Sequence, residues 1–362
     1  MKIGIITIND EKKPNYGNKL QNYAAEQIYN RLGCEYKTLA TVSFEKNYVT
    51  YLKMLVNRLS GYRLSASQPI WKRRIVFQKF NKKYLHVSFD LLKARFDTDN
   101  YDYYSVGSDQ VWNPTWYKWS CEGIEKKYLL AFAKPEQKIC LSPSFGISAL
   151  PEEWKNYFAE QLKTFPNLSV REEVGAKIIR ELTGKDAEVL IDPTLMLTKE
   201  DWIKIAERPK YEVSQKYVLT YFLGEVSDET NAYINDVAKN HNLKIIRLEQ
   251  LRTNEYWYAT GPSEFVWLIA HCSLMCTDSF HGSVFSVLMN VPFLAFERKD
   301  AEAAMTSRMD TLLSVLQLEH RKFSKQKADA IFEKKYKHID AILNNERGRV
   351  IKYLKRAMEM DA

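Results

Sequence analysis

Short apolar runs alternate with amphipathic segments along most of the chain, and this alternation restricts the fold more than any other feature. KIGIIT at 2–7 is typical of a strand followed by a helix, and KYVLTYFLG at 216–224 starts a second series of the same kind. Strands joined by helical crossovers pair in parallel, and their ligands sit at the carboxyl ends of the strands. The sequence therefore predicts an α/β fold with two Rossmann-like domains facing a cleft and mainly parallel sheets.

The length of the chain favours two domains, because single cores seldom grow past roughly 250–300 residues and this chain has 362. We expect an N-terminal Rossmann-like domain at 1–195 with a basic helical insertion at 45–97. Asp192-Pro193 marks its end, since the residue before a proline resists helix. A second Rossmann-like domain is expected at 196–325, and the helices of 326–362 are expected to pack back on the first domain.

Basic residues outnumber acidic ones by 53 to 45, and the excess is local. Segment 71–84, WKRRIVFQKFNKKY, mixes Lys and Arg with aromatic residues, which predicts peripheral contact with the anionic inner face of a membrane. A solvated helical face is an equally good interpretation. No nucleic-acid-binding signature accompanies the basic residues, so nucleic acid is not expected as a partner.

The cysteines and the apolar runs indicate a cytoplasmic protein. The five cysteines form neither a CxxC pair nor a metal-ligand spacing with histidine, which is typical of reduced thiols in the cytosol. No apolar run approaches the roughly 18–20 residues that span a bilayer. The opening MKIGIITIND is typical of a strand rather than a signal peptide.

The stretch CTDSFHGSVFS at 276–286 contains the best candidate for chemistry. An apolar strand ends there, and either Asp278 or Ser279 is a natural N-cap for the helix that follows. The free N–H groups of a helix start attract anions, and His281 in the first turn could exchange a proton near neutral pH. The alternative is a capping cluster with a half-buried histidine.

Three cations also follow strands. Arg171 comes after LSV, and Arg298 and Lys299 come after PFLAFE. Guanidinium groups suit carboxylates and phosphates, so these cations and His281 could converge on one small dianion. The alternatives are a surface pair of Arg171 with a neighbouring glutamate and a solvated pair ahead of Asp300.

Polar groups near two strands of the first predicted domain form a second candidate cluster. In SVGSDQVWNP (105–114), Trp112 could stack on a sugar ring, while Asp109, Gln110 and Asn113 supply polar groups. Gly17 and Asn18 stand at the start of the first helix, where backbone donors could hold a ligand. No Walker loop, GxGxxG fingerprint, GxSxG elbow or metal-ligand helix is present.

Taken together, these motifs resemble the polysaccharide pyruvyl transferase family. The resemblance rests on N-Y-G-N, G-S-D-Q-V-W-N-P, S-F-G, S-V-R-E, D-P-T-L, D-S-F-H-G-S-V and P-F-L-A-F, in that order between residue 1 and about residue 318. The insertion at 45–97 and the last forty or so residues are poorly covered. What the resemblance implies is a GT-B-like fold and a transferase of polysaccharide biosynthesis.

The resemblance also implies a reaction and roles for the candidates. The pyruvyl unit of phosphoenolpyruvate would pass to a sugar of a surface polysaccharide (exopolysaccharide) or its lipid-linked precursor as a ketal. His281 looks like the catalytic acid, and Arg171 and Lys299 look like donor contacts, with Arg298 and Ser279 beside them. The acceptor would lie near Gly17, Asn18, Trp112 and Asn113, and Asp109 is the candidate base. We expect no metal and no cofactor besides phosphoenolpyruvate as co-substrate, because the cations take the metal's place.

Two other functions fit the same pattern. One is a GT-B-type nucleotide-sugar glycosyltransferase of polysaccharide biosynthesis, which shares the two-domain layout. The other is a non-catalytic carbohydrate-binding relative. Binding of nucleotide sugars and acceptor-dependent release of phosphate would separate these three functions.

Overall fold

We analysed a computed structural model of the chain. It describes residues 1–9, 14–41, 68–93, 96–119, 123–213, 216–248, 255–298, 303–323, 328–334 and 336–360. Residues 45–67 of the predicted insertion at 45–97, and Lys299, lie outside the described residues.

The first sheet has five parallel strands in the order β3-β2-β1-β4-β5. Its central strand β1 is buried except at its first residue, which explains why it reads as a continuous apolar run. The strands of this sheet are β1 (Lys2–Ile6), β2 (Glu35–Leu39), β3 (Val87–Ser88), β4 (Tyr103–Val106) and β5 (Lys138–Cys140).

The second sheet has four parallel strands in the order β11-β10-β8-β9. A separate two-stranded parallel sheet, β6 with β7, lies between the two in sequence. These strands are β6 (Ser169–Val170), β7 (Glu188–Val189), β8 (Tyr217–Tyr221), β9 (Lys244–Arg247), β10 (Leu274–Thr277) and β11 (Phe293–Ala295). We call residues 1–195 the N-terminal half and residues 196–325 the C-terminal half.

Helices connect the strands in both halves, as the alternating pattern predicts. Two further 3₁₀ segments matter for the site, Pro114–Trp119 and Pro193–Met196. The described α-helices are α1 (Tyr16–Arg31), α2 (Gln68–Tyr84), α3 (Ile124–Tyr128), α4 (Glu152–Lys163), α5 (Glu173–Thr183), α6 (Lys199–Ile203), α7 (Asp228–Asn240), α8 (Glu255–Tyr258), α9 (Pro262–His271), α10 (Phe280–Leu288), α11 (Ala303–Val315) and α12 (Ile339–Ala357).

The two halves share a core at the base of the cleft. Tyr16 in α1 stacks on Phe265 in α9, with ring centroids 4.2 Å apart, and its hydroxyl donates to the carbonyl of Thr260 at 3.0 Å. Stacked aromatic pairs contribute beyond the area that they bury. This contact brings the start of α1 close to the C-terminal half.

The C-terminal helix α12 crosses back to the N-terminal half. Tyr353 is fully buried, and its hydroxyl lies 3.3 Å from the sulfur of Cys140 in β5. Arg347 donates to the carbonyl oxygens of Leu195 and Leu197 at 2.8 and 3.1 Å. The last helix therefore covers the end of the first sheet.

Within the described part of the chain, no helix is both long enough and apolar enough to cross a membrane.

Candidate active site

A cavity of about 670 Å³ opens between the two halves, next to the carboxyl ends of strands from both large sheets. The N-terminal half lines it with Asn18, Asp109 and Gln110. The C-terminal half contributes Ser279, His281, Arg298 and Arg308. A concave site with few polar groups converging from two domains is typical of a substrate pocket.

Ser279 is the N-cap of α10, which decides between the two capping candidates. Its hydroxyl accepts the N–H of Gly282 at 3.4 Å. Asp278 instead accepts the backbone N–H groups of Leu223 and Gly224 at 2.7 and 2.8 Å. The cap at Ser279 therefore places the first turn of α10 at the cavity. Asp278 connects this turn to the loop after β8 through its two hydrogen bonds.

His281 lies between two groups from the other half of the molecule. Its side chain is 9% exposed, and Nε2 lies 3.7 Å from Oδ2 of Asp192. On the other side, a Cβ added to Gly17 would lie only 2.1 Å from Nδ1 of His281. Gly17 was predicted to hold the acceptor; the structure shows that its missing side chain instead makes room for the imidazole.

Asp192 connects His281 to Arg171. This fully buried carboxylate accepts from Nη1 of Arg171 at 2.7 Å and from the hydroxyls of Ser108 and Thr194 at 3.0 and 2.7 Å. Burial raises the pKa of Asp192, but His281 and Arg171 outweigh burial and hold that pKa well below its usual range. Asp192 is therefore an anion at neutral pH.

The sequence analysis did not assign Asp192 to the site. The signal was present in the D-P-T-L motif, where an aspartate precedes a proline after an apolar run. That aspartate N-caps the 3₁₀ segment Pro193–Met196 through Thr194, as a local interpretation would expect. Only the fold shows that its second oxygen faces Arg171 and His281.

Arg171 is buried, so the predicted surface pair with a neighbouring glutamate is wrong. Its side chain is 2% exposed, Nη2 lies 3.8 Å from Asp109, and the ring of Phe280 covers the guanidinium at 4.4 Å. Burial lowers the pKa of Arg171, but Asp192 and Asp109 more than restore it. The guanidinium lines a separate cavity of about 100 Å³ rather than the large one.

Asp109 and Asn18 are brought together as a pair. Asp109 has a left-handed backbone, with φ 69°, which aspartate tolerates better than most residues. One carboxylate oxygen accepts from Nδ2 of Asn18, and the other accepts its own neighbour's N–H, that of Gln110, at 2.9 Å. Both side chains line the cavity.

Trp112 and Asn113 do not reach the cavity, so their predicted contacts with the acceptor are wrong. Trp112 is 0% exposed, and its indole N–H donates to the carbonyl of Tyr128 at 3.0 Å. A ring with no exposed face cannot stack on a sugar. Asn113 is also buried, and its Oδ1 accepts from the N–H and hydroxyl of Thr115.

Arg298 lines the cavity, and Nε lies 3.3 Å from Oδ2 of Asp278. Its aliphatic part passes close to Gly224, where an added Cβ would lie 2.6 Å from Cγ of Arg298. Its predicted companion Lys299 lies outside the described residues. The interpretation of Arg298 as a solvated cation paired ahead of Asp300 does not fit this position.

Three arginines that line the cavity were not predicted from the sequence as site residues, Arg73, Arg74 and Arg308. Arg308 comes from the middle of α11, where nothing in the local pattern distinguishes it from a surface position. Arg73 belongs to the basic segment 71–84, yet it is buried and donates to the hydroxyl of Tyr16 at 2.9 Å and the carbonyl of Tyr258 at 2.8 Å. This arginine therefore does not face a membrane surface.

Among the residues that the structure describes, no group of three or more His, Cys, Asp or Glu side chains could hold a metal ion.

Comparisons with known proteins agree with this geometry at the level of the fold. A protein from Listeria monocytogenes described as a UDP-N-acetylglucosamine 2-epimerase superimposes with a TM-score of 0.51 and 10% identity, over 99% of this chain and 96% of that one. A UDP-N-acetylglucosamine 2-epimerase from Rickettsia bellii gives 0.48 and 9%, over 99% and 97%. The first similarity supports a GT-B-like architecture and nothing about the substrate.

The family comparison goes further. No curated protein matches the chain in sequence. The family model described as polysaccharide pyruvyl transferase matches residues 15–300, which include every motif discussed above. The chain therefore belongs to the polysaccharide pyruvyl transferase family.

Proposed function

We propose that this protein transfers the pyruvyl group of phosphoenolpyruvate to a sugar of a surface polysaccharide or of its lipid-linked precursor, forming a ketal. The observation that carries the proposal is the position of His281. It opens a helix at the cavity, between the anionic Asp192 and the bare Cα of Gly17. A protonated imidazole held in one orientation is suited to deliver a proton to a bound substrate.

The cavity has the charge that the donor requires. Phosphoenolpyruvate carries a phosphate and a carboxylate on three carbons, and charge-assisted hydrogen bonds to such groups are stronger than neutral ones. Arg298 and the first turn of α10 after Ser279 are the donor contacts that we assign. Lys299 remains a proposed contact on the strength of the family motif.

The chemistry balances with the residues at hand. His281 gives its proton to the methylene carbon of the donor, while a hydroxyl of the acceptor attacks the adjacent carbon and loses its own proton. The C–O bond to phosphate then breaks, and a second hydroxyl of the acceptor replaces phosphate and loses its proton. The methyl ketal and inorganic phosphate leave; of the two acceptor protons, one passes through Asp109 to the departing phosphate and the other returns to His281.

Asp192 and Arg171 would act through His281 and Asp109 rather than on the donor. Asp192 would hold the imidazole in place, since its Oδ2 lies 3.7 Å from Nε2 of His281. Arg171 fixes Asp192 by a hydrogen bond and lies 3.8 Å from Asp109. We assign both as positioning residues.

The acceptor sugar would lie against Asn18 and Asp109, on the N-terminal side of the cavity. Asp109 is the only carboxylate among the described cavity residues of the N-terminal half, and we propose it as the base that receives a hydroxyl proton. Asn18, which donates to Asp109, keeps that carboxylate oriented.

Calorimetric titration of the full chain with phosphoenolpyruvate, followed by phosphate-release assays with and without lipid-linked oligosaccharide extracts, tests the proposal. We expect saturable donor binding and release that depends on the extract, and His281→Ala should abolish release while retaining binding. Parallel titration with UDP-N-acetylglucosamine examines the glycosyltransferase alternative. Nucleotide-sugar binding without donor binding would favour that alternative, and glycan binding without turnover would favour a carbohydrate-binding relative.

A further inference from the structure

Arg308 has the features of an anion-binding side chain that lacks its anion. It lies on α11, lines the large cavity and is 9% exposed. Burying a cation is costly unless it is paired or hydrogen-bonded. Among the residues that the structure describes, no carboxylate lies within ion-pair distance of Arg308, and its Nε has no hydrogen-bond partner.

A neutral amide from the N-terminal half accepts hydrogen bonds from the guanidinium of Arg308. With its amide oxygen turned toward α11, Gln110 accepts from Nη1 and Nη2 of Arg308 at 3.0 and 3.1 Å. This contact fixes the direction of the guanidinium and leaves its charge uncompensated.

Gly146 is what allows Gln110 to reach Arg308. Gly146 has φ 63°, and a Cβ added there would lie 2.2 Å from the end of the Gln110 amide that faces away from Arg308. The S-F-G motif thus acquires a physical role, because any side chain at its glycine would displace the amide. Residues from two motifs, G-S-D-Q and S-F-G, therefore fix the position of Arg308 in the cavity.

The electrostatic surroundings of Arg308 are unfavourable to its charge. Burial first and then the charge of Arg171 lower its pKa to about 10, with Glu172 and Asp109 acting in the opposite direction. At neutral pH the group is still a cation. An incoming anion would relieve both the desolvation and the repulsion.

Arg171 is less suited to this task. Its face is covered by Phe280 at 4.4 Å, and its charge is already matched by Asp192. Arg73 is also buried at the large cavity, but its guanidinium donates to Tyr16 and Tyr258. Of the three buried arginines at the site, Arg308 is therefore the one that faces the large cavity with an unpartnered nitrogen.

We propose that Arg308 binds an oxyanion of the donor directly, with Gln110 and Gly146 as its positioning residues. This inference rests on the proposed function for the identity of the donor. The chemistry that Arg308 recognises, a phosphate or a carboxylate, is shared by both ends of phosphoenolpyruvate.

Titration of wild-type, Arg308→Gln and Arg308→Lys proteins with phosphoenolpyruvate, inorganic phosphate and pyruvate tests the inference. A hydrogen bond to a charged group contributes about 1.5–3 kcal/mol, so we expect Arg308→Gln to weaken donor binding roughly 10- to 100-fold. Arg308→Lys should recover part of that loss. The exposed Arg180→Lys is the matched control and should bind like wild type. Loss confined to phosphate or to pyruvate shows which end Arg308 holds.

Gln110→Glu provides a test that does not depend on removing the arginine. A carboxylate at this position would pair with Arg308 internally, so we expect weaker donor binding with an unchanged or higher melting temperature. A folded Arg308→Gln protein that binds donor like wild type would overturn the inference, and so would wild-type protein that binds none of the three probes. Arg308-dependent binding of phosphate without any turnover would leave the anion site standing and refute the proposed function instead.

Discussion

At the scale of single residues, the position of His281 depends on the lack of a side chain at Gly17 as much as on the carboxylate of Asp192. A Cβ at residue 17 would lie 2.1 Å from Nδ1, closer than any real non-bonded contact allows. The backbone of Gly17 is helical and buried, so the substitution itself introduces little backbone strain. The steric effect should therefore fall on the imidazole.

Gly17→Ala should reduce the kcat of phosphate release by roughly 100-fold, since a displacement of about 1 Å at a catalytic group has effects of that size. The KM for phosphoenolpyruvate should change little, because the donor contacts are elsewhere. Gly348→Ala is the matched control, as an added Cβ there meets nothing within 4 Å. Full activity of the Gly17→Ala protein would contradict the inference that contact with Gly17 fixes the position of His281.

Asp192→Asn should destabilise the protein most above about pH 5 and progressively less toward pH 3. The folded pKa of Asp192 is depressed, so its stabilising contribution is complete above the unfolded pKa of about 3.9 and is lost as pH falls toward the folded value. Breaking a buried pair costs about 3–5 kcal/mol. Denaturant unfolding at several pH values measures this.

The exposed Asp186→Asn serves as the control for that series, because surface pairs such as Asp186 with Arg180 contribute little. A constant difference between wild type and Asp192→Asn from pH 6 to pH 3 would show that the charge of Asp192 is not what stabilises the fold.

At the scale of elements, local signals predicted helices better than strand lengths. The apolar spacing predicts a helix from Glu152 to about Lys163, and α4 has these bounds. The pattern of 101–112 predicts a strand that runs into a loop without fixing where the strand ends, and only Tyr103–Val106 pairs. Strand ends depend on neighbouring strands, which a single sequence does not show.

The same distinction applies to the site. Residues at strand ends and helix starts, such as Ser279, His281 and Arg298, could be placed at the cavity from the βα pattern. Trp112 was misjudged because an aromatic residue in a loop looks the same in sequence whether it faces solvent or the core. Arg308 was missed because its place at the cavity depends on how α11 packs against the other half.

Helix α2 offers a test of the membrane proposal. Arg73 faces the cavity, but Lys79 and Lys82 on the same helix are exposed. Each lysine near an anionic surface contributes about 1 kcal/mol, so the double variant Lys79→Glu/Lys82→Glu should bind phosphatidylglycerol vesicles at least about tenfold less. Lys239→Glu/Lys244→Glu is a control of equal charge, and equal sedimentation of both variants would refute contact through α2.

At the scale of the whole molecule, the last helix links the end of the chain to the first sheet. Tyr353 is fully buried beside Cys140, and its hydroxyl donates to the carbonyl of Asn167 at 3.3 Å. Tyr103 in β4 in turn donates to the carbonyl of Met358 at 3.0 Å. The poorly matched C-terminal segment is therefore part of the folded core.

Tyr353→Ala should lower the free energy of unfolding by about 3–5 kcal/mol, because it leaves a large cavity under the first sheet. Thermal unfolding of the full chain measures the change. Donor affinity at low temperature should be unaffected, since Tyr353 is not among the described residues that line the cavity. Weakened donor binding in a protein that is still folded would mean that α12 communicates with the site.

The contact of His281 with Gly17 has a consequence for exchanging parts between relatives. His281 and Gly17 belong to different halves of the molecule. The distance between the halves at this point is therefore set by the thickness of one imidazole ring. Chimaeras that combine one parent's N-terminal half with another's C-terminal half should be productive only where both parents keep that interval. Recombination aimed at new acceptor sugars would then need to preserve the pair before it varies anything else.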